Sequence, residues 1–252
     1  MTTLDYSNYN SLCVCGDIHG EFRTLMFNIK RLGIENSVII VAGDCGIGFE
    51  KESHYTQLYN KLAKTLEATN NLLLLVRGNH DDPTYFDGEK IDFERMKCLS
   101  DYSVVMVAGC NVLCIGGAVS IDRKHRRDAM WMDELKNRTI RPLYWEKEGV
   151  VFNAQALSEL RDMQIDAVIT HTCPSFCYPL SKAGIESWLL QDAELLGDLN
   201  AERCEMDKIY NQLIADNHPL RNWYYAHFHQ SNTEFINNIS YSLLNIMEIK
   251  EA

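Results

Sequence analysis

Four short blocks, each at the end of an apolar run, carry side chains that ligate metals. They are Gly16-Asp17-Ile18-His19-Gly20, Gly43-Asp44, Gly78-Asn79-His80-Asp81 and, far downstream, His227-Phe228-His229. A lone Gly-Asp after a strand is ordinarily a turn, because Gly supplies positive φ and Asp bonds its own backbone. Several such blocks in one chain point instead to a polynuclear metal site. Carboxylate together with imidazole suits Mn²⁺, Fe²⁺, Co²⁺, Ni²⁺ or Zn²⁺, whereas Mg²⁺ and Ca²⁺ prefer shells made of oxygen alone.

Such blocks need a scaffold that gathers them. The runs Leu12–Cys15, Val38–Ala42 and Leu72–Val76 precede the first three, and Ala167–Thr170 precedes His171. Continuous apolar runs of this length suit strands buried on both faces. Tyr55, Leu58, Tyr59, Leu62, Ala63 and Leu66 keep helical spacing and predict an amphipathic helix over the sheet. Strand alternating with helix gives an α/β architecture, whose loops converge at the carboxyl ends of neighbouring strands. Val104–Val107 and Val112–Ile115 predict one hairpin, and the turn at Asn237-Asn238 another. A helical stretch runs from about Ser187 to Asn217, with Gly197 as the expected break and Pro219 shortly beyond its end. The polar stretch from Ile121 to Gly149 is expected to be a cap or lid loop.

The 252 residues, 46% hydrophobic and 23% charged with five prolines, read as one ordered domain spanning residues 1–252. Nine cysteines are an odd number, and Cys13, Cys15, Cys110 and Cys114 sit inside strand-like runs, so buried free thiols are expected. Residues Met1 to Asn10 carry no export signal and no apolar run reaches bilayer length, which predicts a cytoplasmic protein with no membrane partner. A net charge of −11 weighs against a broad nucleic-acid-binding face. The local exception is Arg123-Lys124-His125-Arg126-Arg127. Arg123, Arg126 and Arg127 are candidates to hold an anionic substrate group, with a solvated loop as the plain alternative. His54, His125 and His218 lie outside every ligand block, Cys173 and Cys177 read as structural thiols, and Trp131, Tyr144 and Trp145 as stacking or anchoring aromatics.

In order along nearly the whole chain, these blocks resemble the calcineurin-like metallophosphoesterase family: Gly-Asp-x-His, Gly-Asp, Gly-Asn-His-Asp or Glu, a lone His, and Gly-His-x-His. The resemblance implies a four-layer α-β-β-α sandwich with two central mixed sheets flanked by helices. It implies two divalent transition-metal ions, Mn²⁺ foremost with Fe, Ni, Co or Zn as others. Asp17, His19 and His229 would hold one ion and Asn79, His171 and His227 the other, with Asp44 bridging both. Hydroxide between the ions would attack phosphorus, and His80 would protonate the leaving group or stabilise the transition state as a charged donor. Asp81 is a candidate to orient the His80 ring. The implied substrate is a phosphorylated small molecule or nucleotide, as a monoester or diester. A nuclease and a non-catalytic binding scaffold are the alternatives, and occupation of every ligand position favours an enzyme.

Three departures stand out. Ala226 replaces the Gly of the last block, which would cost stability if that position needs positive φ. Cys45-Gly46-Ile47 lacks both the arginine of the protein serine/threonine phosphatases and the tyrosine ligand of the purple acid phosphatases. The stretch Gly116–Arg123, with Trp131 and Glu134, is similar to one in small bacterial and phage-like members.

Overall fold

In the computed structural model, which describes residues 2–252, the apolar runs become the inner strands of two sheets packed face to face. The first half of the chain comprises β1 (Thr3–Asp5), β2 (Ser11–Cys15), α1 (Phe22–Leu32), β3 (Ser37–Ala42), α2 (Glu52–Ala68), β4 (Leu72–Val76), β5 (Asp92–Phe93), β6 (Met96–Cys98), β7 (Ser103–Val107) and β8 (Cys110–Ile115). The second comprises α3 (Arg123–Leu135), α4 (Ala154–Glu159), β9 (Ala167–Thr170), α5 (Glu186–Gln191), α6 (Leu195–Ala215), β10 (Asn222–Tyr225), β11 (Asn232–Ile236), β12 (Ile239–Leu243) and β13 (Ile249–Glu251).

One sheet has the order β13-β2-β3-β4-β6-β5 and the other β1-β7-β8-β9-β10-β12-β11. Both mix parallel and antiparallel pairs. Successive side chains on a strand point to opposite faces, and here both faces are dry. Val14, Ile40 and Leu74 meet Cys114, Ile169 and Tyr224 between the sheets. Cys13, Ile39 and Leu73 face outward, under Leu25 and Ile29 of α1 and Tyr55 and Leu66 of α2. On the far side Leu113, Val168 and Trp223 pack under Leu157 of α4 and Met206, Ile209 and Leu213 of α6. The layers are thus helix, sheet, sheet, helix, and this double burial is why the strands read as continuous apolar runs rather than alternating ones.

The expected helix is α2, and the two expected hairpins are β7-β8 and β11-β12. All nine cysteines are free and seven of them are buried. Two expectations need correcting. The stretch 121–149 is not all loop, since α3 occupies thirteen of its residues. The break in the long helical stretch falls between α5 and α6, with Gly197 inside α6. The reason is tertiary: Asp192 accepts from Arg123 Nε at 2.7 Å and from the backbone N–H of Glu194 at 3.1 Å, which ends α5 there. Among the described residues, no helix is long and apolar enough to cross a membrane.

Candidate metal centre

Strands β2, β3 and β4 run parallel, as do β8, β9 and β10, so loops leaving their carboxyl ends meet at one edge of the sandwich. Asp17 and His19 follow β2, Asp44 follows β3, and Asn79 follows β4. From the opposite sheet come His171 after β9 and His227 and His229 after β10. One ligand atom from each of Asp17, His19, Asp44 and His229 lies within 4.8 Å of the others.

Ligand atoms crowd together on both sides of Asp44. His229 Nε2 sits 2.8 Å from Asp17 Oδ2 and 3.2 Å from His19 Nε2. Yet the buried Asp17 Oδ2 receives no aligned donor. On the other side of Asp44, His171 Nε2 is 3.2 Å from Asp44 Oδ1 and 3.0 Å from Asn79 Oδ1. His171 Nδ1 lies 2.8 Å from the Ala42 carbonyl, which can only accept. The Nδ1 proton is therefore committed, which leaves Nε2, facing two oxygens, as the atom that would ligate a metal. Burial opposes charge on His171, but Asp44 and Asp17 outweigh it and push the pKa up to about 9, so without a cation Nε2 holds a proton between those oxygens. A divalent cation would take the place of that proton. His227, its ring 4.9 Å from that of His171, is held well below the usual histidine range by burial and by His171, and so keeps a free lone pair. The donor set fits a pair of cations.

Local backbone makes the convergence possible. His19, Asp44, His227 and His229 have φ of 45°, 49°, 70° and 51°, a region non-glycine residues rarely enter and one that costs about 1–3 kcal/mol each. Ala226 stays out of that region, which falls on His227 instead, so Ala in place of Gly carries no such penalty. Two glycines are required by closeness: a Cβ on Gly43 would lie 2.1 Å from His171 Nδ1, and one on Gly78 would lie 2.1 Å from Asp44 Oδ1. Asp81 does not reach the His80 ring, which corrects the role expected of it. Its carboxylate accepts from the backbone N–H of Cys45, Ile47 and Gly78 at 2.9, 2.8 and 2.7 Å, and thereby ties the β3 loop to the β4 loop.

His80 donates its backbone N–H to Asp44 Oδ1 at 2.8 Å, while its ring stays about one quarter exposed, with Nε2 3.9 Å from Asp44 Oδ2. Arg126 Nη2 lies 2.7 Å from His80 Nδ1 and 3.0 Å from Nε2. A guanidinium only donates, so the ring nitrogen that takes this bond is an acceptor and the His80 ring beside Arg126 is neutral. Burial first, and then Arg126, lower the His80 pKa against the pull of Asp44.

The sequence profile of calcineurin-like phosphoesterases matches residues 11–231. The chain belongs to that family. As a calcineurin-like phosphoesterase it is a metal-dependent enzyme that hydrolyses phosphoesters. Among solved structures it is similar to the phosphopantetheinyl hydrolase of Mycobacterium tuberculosis, at 11% identity over 98% of this chain and 96% of that one, with a TM-score of 0.44. It is also similar to a cold-active protein tyrosine phosphatase, at 11% identity, 100% and 75% coverage and a TM-score of 0.39. A protein serine/threonine phosphatase from Saccharomyces cerevisiae aligns at 15% identity, 97% and 70% coverage and a TM-score of 0.36. No curated protein matches the chain.

In this phosphoesterase the basic cluster divides. Arg123 is buried and spent on Asp192 at 2.7 Å and Asp198 at 2.6 Å, which removes it from the substrate contacts expected of the cluster. Arg127 lies over the Tyr144 ring and 3.7 Å from Asp192, turned to the same carboxylate. Arg126 alone of the three touches a residue of the site. Trp131 is 57% exposed, whereas Trp145 packs edge-on against Phe49 at 5.0 Å.

Two contributors carry no signal in the sequence. Asn79 Nδ2 donates to Ser120 Oγ at 2.9 Å, and Ser120 gives its hydroxyl and its backbone N–H to buried Glu148 at 2.6 and 2.7 Å. This chain of bonds fixes the Asn79 amide with Oδ1 toward His171. Ser120→Ala is expected to weaken binding of one of two ions about 10–100-fold, the range for losing an outer-shell partner, and to spare the other. Calorimetric titration of metal-free protein checks this by separating the two binding steps.

Proposed function

We propose that this phosphoesterase hydrolyses monoesters or diesters of small molecules or nucleotides with two divalent transition-metal ions, Mn²⁺ foremost. The observation that carries the reading is Asp44, whose carboxylate stands between two groups of metal-ligating side chains. In it Asp17, His19 and His229 hold one ion, Asn79, His171 and His227 the other, and Asp44 serves both. Two divalent cations held there would supply a water of lowered pKa and offset charge on phosphoryl oxygens. The mixed carboxylate, amide and imidazole set favours Mn²⁺ or its neighbours over Mg²⁺.

The chain's own groups supply the remainder. His80 faces the site with one ring N–H, a hydrogen-bond donor for the departing oxygen; passing that oxygen a proton outright requires the ring to be charged first. Arg126 keeps one ring nitrogen engaged, and guanidinium N–H groups it does not use on His80, Asp122 or Leu143 are free for a phosphoryl oxygen. Asp81 holds the two loops so that Asp44 and Asn79 cannot drift apart.

The test is reconstitution. Metal-free protein should be inactive and regain turnover of chromogenic monoesters or diesters with Mn²⁺, Co²⁺ or Ni²⁺ more than with Mg²⁺. Absence of turnover with every ion, across monoesters, diesters, nucleotides and single-stranded DNA, would refute the reading. Turnover confined to DNA would make the enzyme a nuclease.

A further inference from the structure

We propose that the cleft beside His19 and His80 seats the leaving group of the substrate, and that this group is compact, apolar or aromatic, and uncharged. The proposal rests on the hydrolytic reading above and narrows the leaving group of its substrate to one chemical kind.

The cleft holds about 390 Å³ and opens directly off the candidate metal centre. That volume is near the small end of the roughly 300–1,000 Å³ typical of small-molecule sites. His80 lines it together with His19, so a leaving group resting there keeps its ester oxygen beside the His80 ring. That adjacency is the ground for assigning the cleft to the leaving side.

The walls decide the chemistry. Phe49, Tyr55 and Leu58 form them, with Glu50 and exposed His54 among the polar lining. Among the described residues no Lys or Arg lines the cleft, and Glu50 is its one carboxylate. Arg126 lies against the His80 ring but outside the lining, so a second phosphate or a carboxylate on the leaving group would find no cation in the walls and would face Glu50. This disfavours polyphosphate tails and nucleic-acid strands while leaving aromatic and aliphatic groups well served.

The wall is also pre-organised. Buried Tyr55 accepts from the backbone N–H of Gly48 at 2.5 Å and of Glu50 at 3.3 Å, and so clamps the loop that bears Phe49. Trp145 backs the Phe49 ring edge-on at 79°. A rigid apolar wall loses little entropy on binding, which favours a ligand that fills it.

The experiment compares esters with alkyl leaving groups of similar basicity, so that chemistry does not mask binding: 2-phenylethyl, ethyl and 2-carboxyethyl phosphate, with Mn²⁺-reconstituted enzyme. Since one methylene in an apolar pocket is worth about 10–200-fold, kcat/KM for the phenylethyl ester should exceed that for the ethyl ester by at least ~30-fold. The carboxyethyl ester should fall below the ethyl ester. Phe49→Ala should collapse the phenylethyl-to-ethyl ratio to about 3 or less, and Leu58→Lys, on the half-exposed face of α2, should do the same without emptying the wall. Glu50→Lys should raise the carboxyethyl ester relative to the ethyl ester. Calorimetry with the corresponding non-hydrolysable phosphonates should reproduce the ranking in Kd. Metal-dependent turnover of all three esters at equal kcat/KM, or a ratio unmoved by both wall variants, would overturn the cleft assignment and leave the hydrolytic reading intact. Loss of all turnover with every ion would instead remove both.

Discussion

Asp44→Asn is expected to strip both ions and abolish turnover while leaving the fold in place. Asn preserves the shape of the side chain and tolerates positive φ better than most residues, so the 49° backbone angle at this position survives the exchange. The carboxamide can still accept from the His80 backbone N–H through its oxygen. The negative charge is lost. Burial alone would raise the Asp44 carboxyl, but His171, His80 and His227 hold it well below the usual carboxylate range, so the site is organised around an anion there. Loss of outer-shell partners costs about 10–100-fold in metal affinity, and loss of an anion serving both ions should exceed that at each site, with turnover down by more than ~10³-fold. Elemental analysis after gel filtration and a near-native thermal melt of the metal-free protein check the two halves. A variant that keeps two equivalents of metal would show that Asp44 does not bridge them.

The candidate ligands are legible for a topological reason. Each comes directly after an apolar strand, and parallel strands that end at one polar edge of a sheet bring their outgoing loops together there. The strands β2, β3, β4 and β9 are visible because both their faces are dry. Other parts depend on contacts far apart in sequence. Nothing near Ser120 announces that it holds Asn79, or that Glu148 holds Ser120, and Arg126 shows no local sign of reaching His80. Adjacency to His80 suggests that Asp81 serves that ring, whereas a strand-end carboxylate surrounded by backbone N–H groups is drawn to them. The stretch 121–149 resembles a loop because its composition is polar all round. It folds as α3 because Arg123 is pinned to α5 and α6 through Asp192 and Asp198, with pairs such as Lys124–Asp128 along its exposed side. Helix α1 has its own helical spacing in Phe22, Leu25, Met26 and Ile29, the four residues it buries against β2 and β3.

His80→Ala should do the opposite of Asp44→Asn: keep both ions and lose rate. The backbone N–H that His80 gives to Asp44 persists in alanine, so the scaffold around Asp44 is untouched. Positioned proton donors contribute about 10²–10⁴-fold, and kcat for an ester with an alkyl leaving group should fall within that range. The leaving group separates two roles. An alkoxide needs a proton to depart, whereas 4-nitrophenolate barely does, so general acid catalysis predicts a much smaller loss with 4-nitrophenyl phosphate. Equal losses on both esters would assign His80 to stabilising charge on the phosphoryl oxygens. The contact with Arg126 works against the first outcome, because a ring that accepts from a guanidinium is neutral, and only a charged ring can hand an alkoxide its proton. Arg126→Ala should therefore raise the His80 pKa and, if His80 is the acid, move the basic limb of the pH–rate profile for alkyl esters to higher pH. A His80→Ala enzyme with full rate on alkyl esters would refute the assignment, and the departing oxygen would then need its proton from solvent in the cleft.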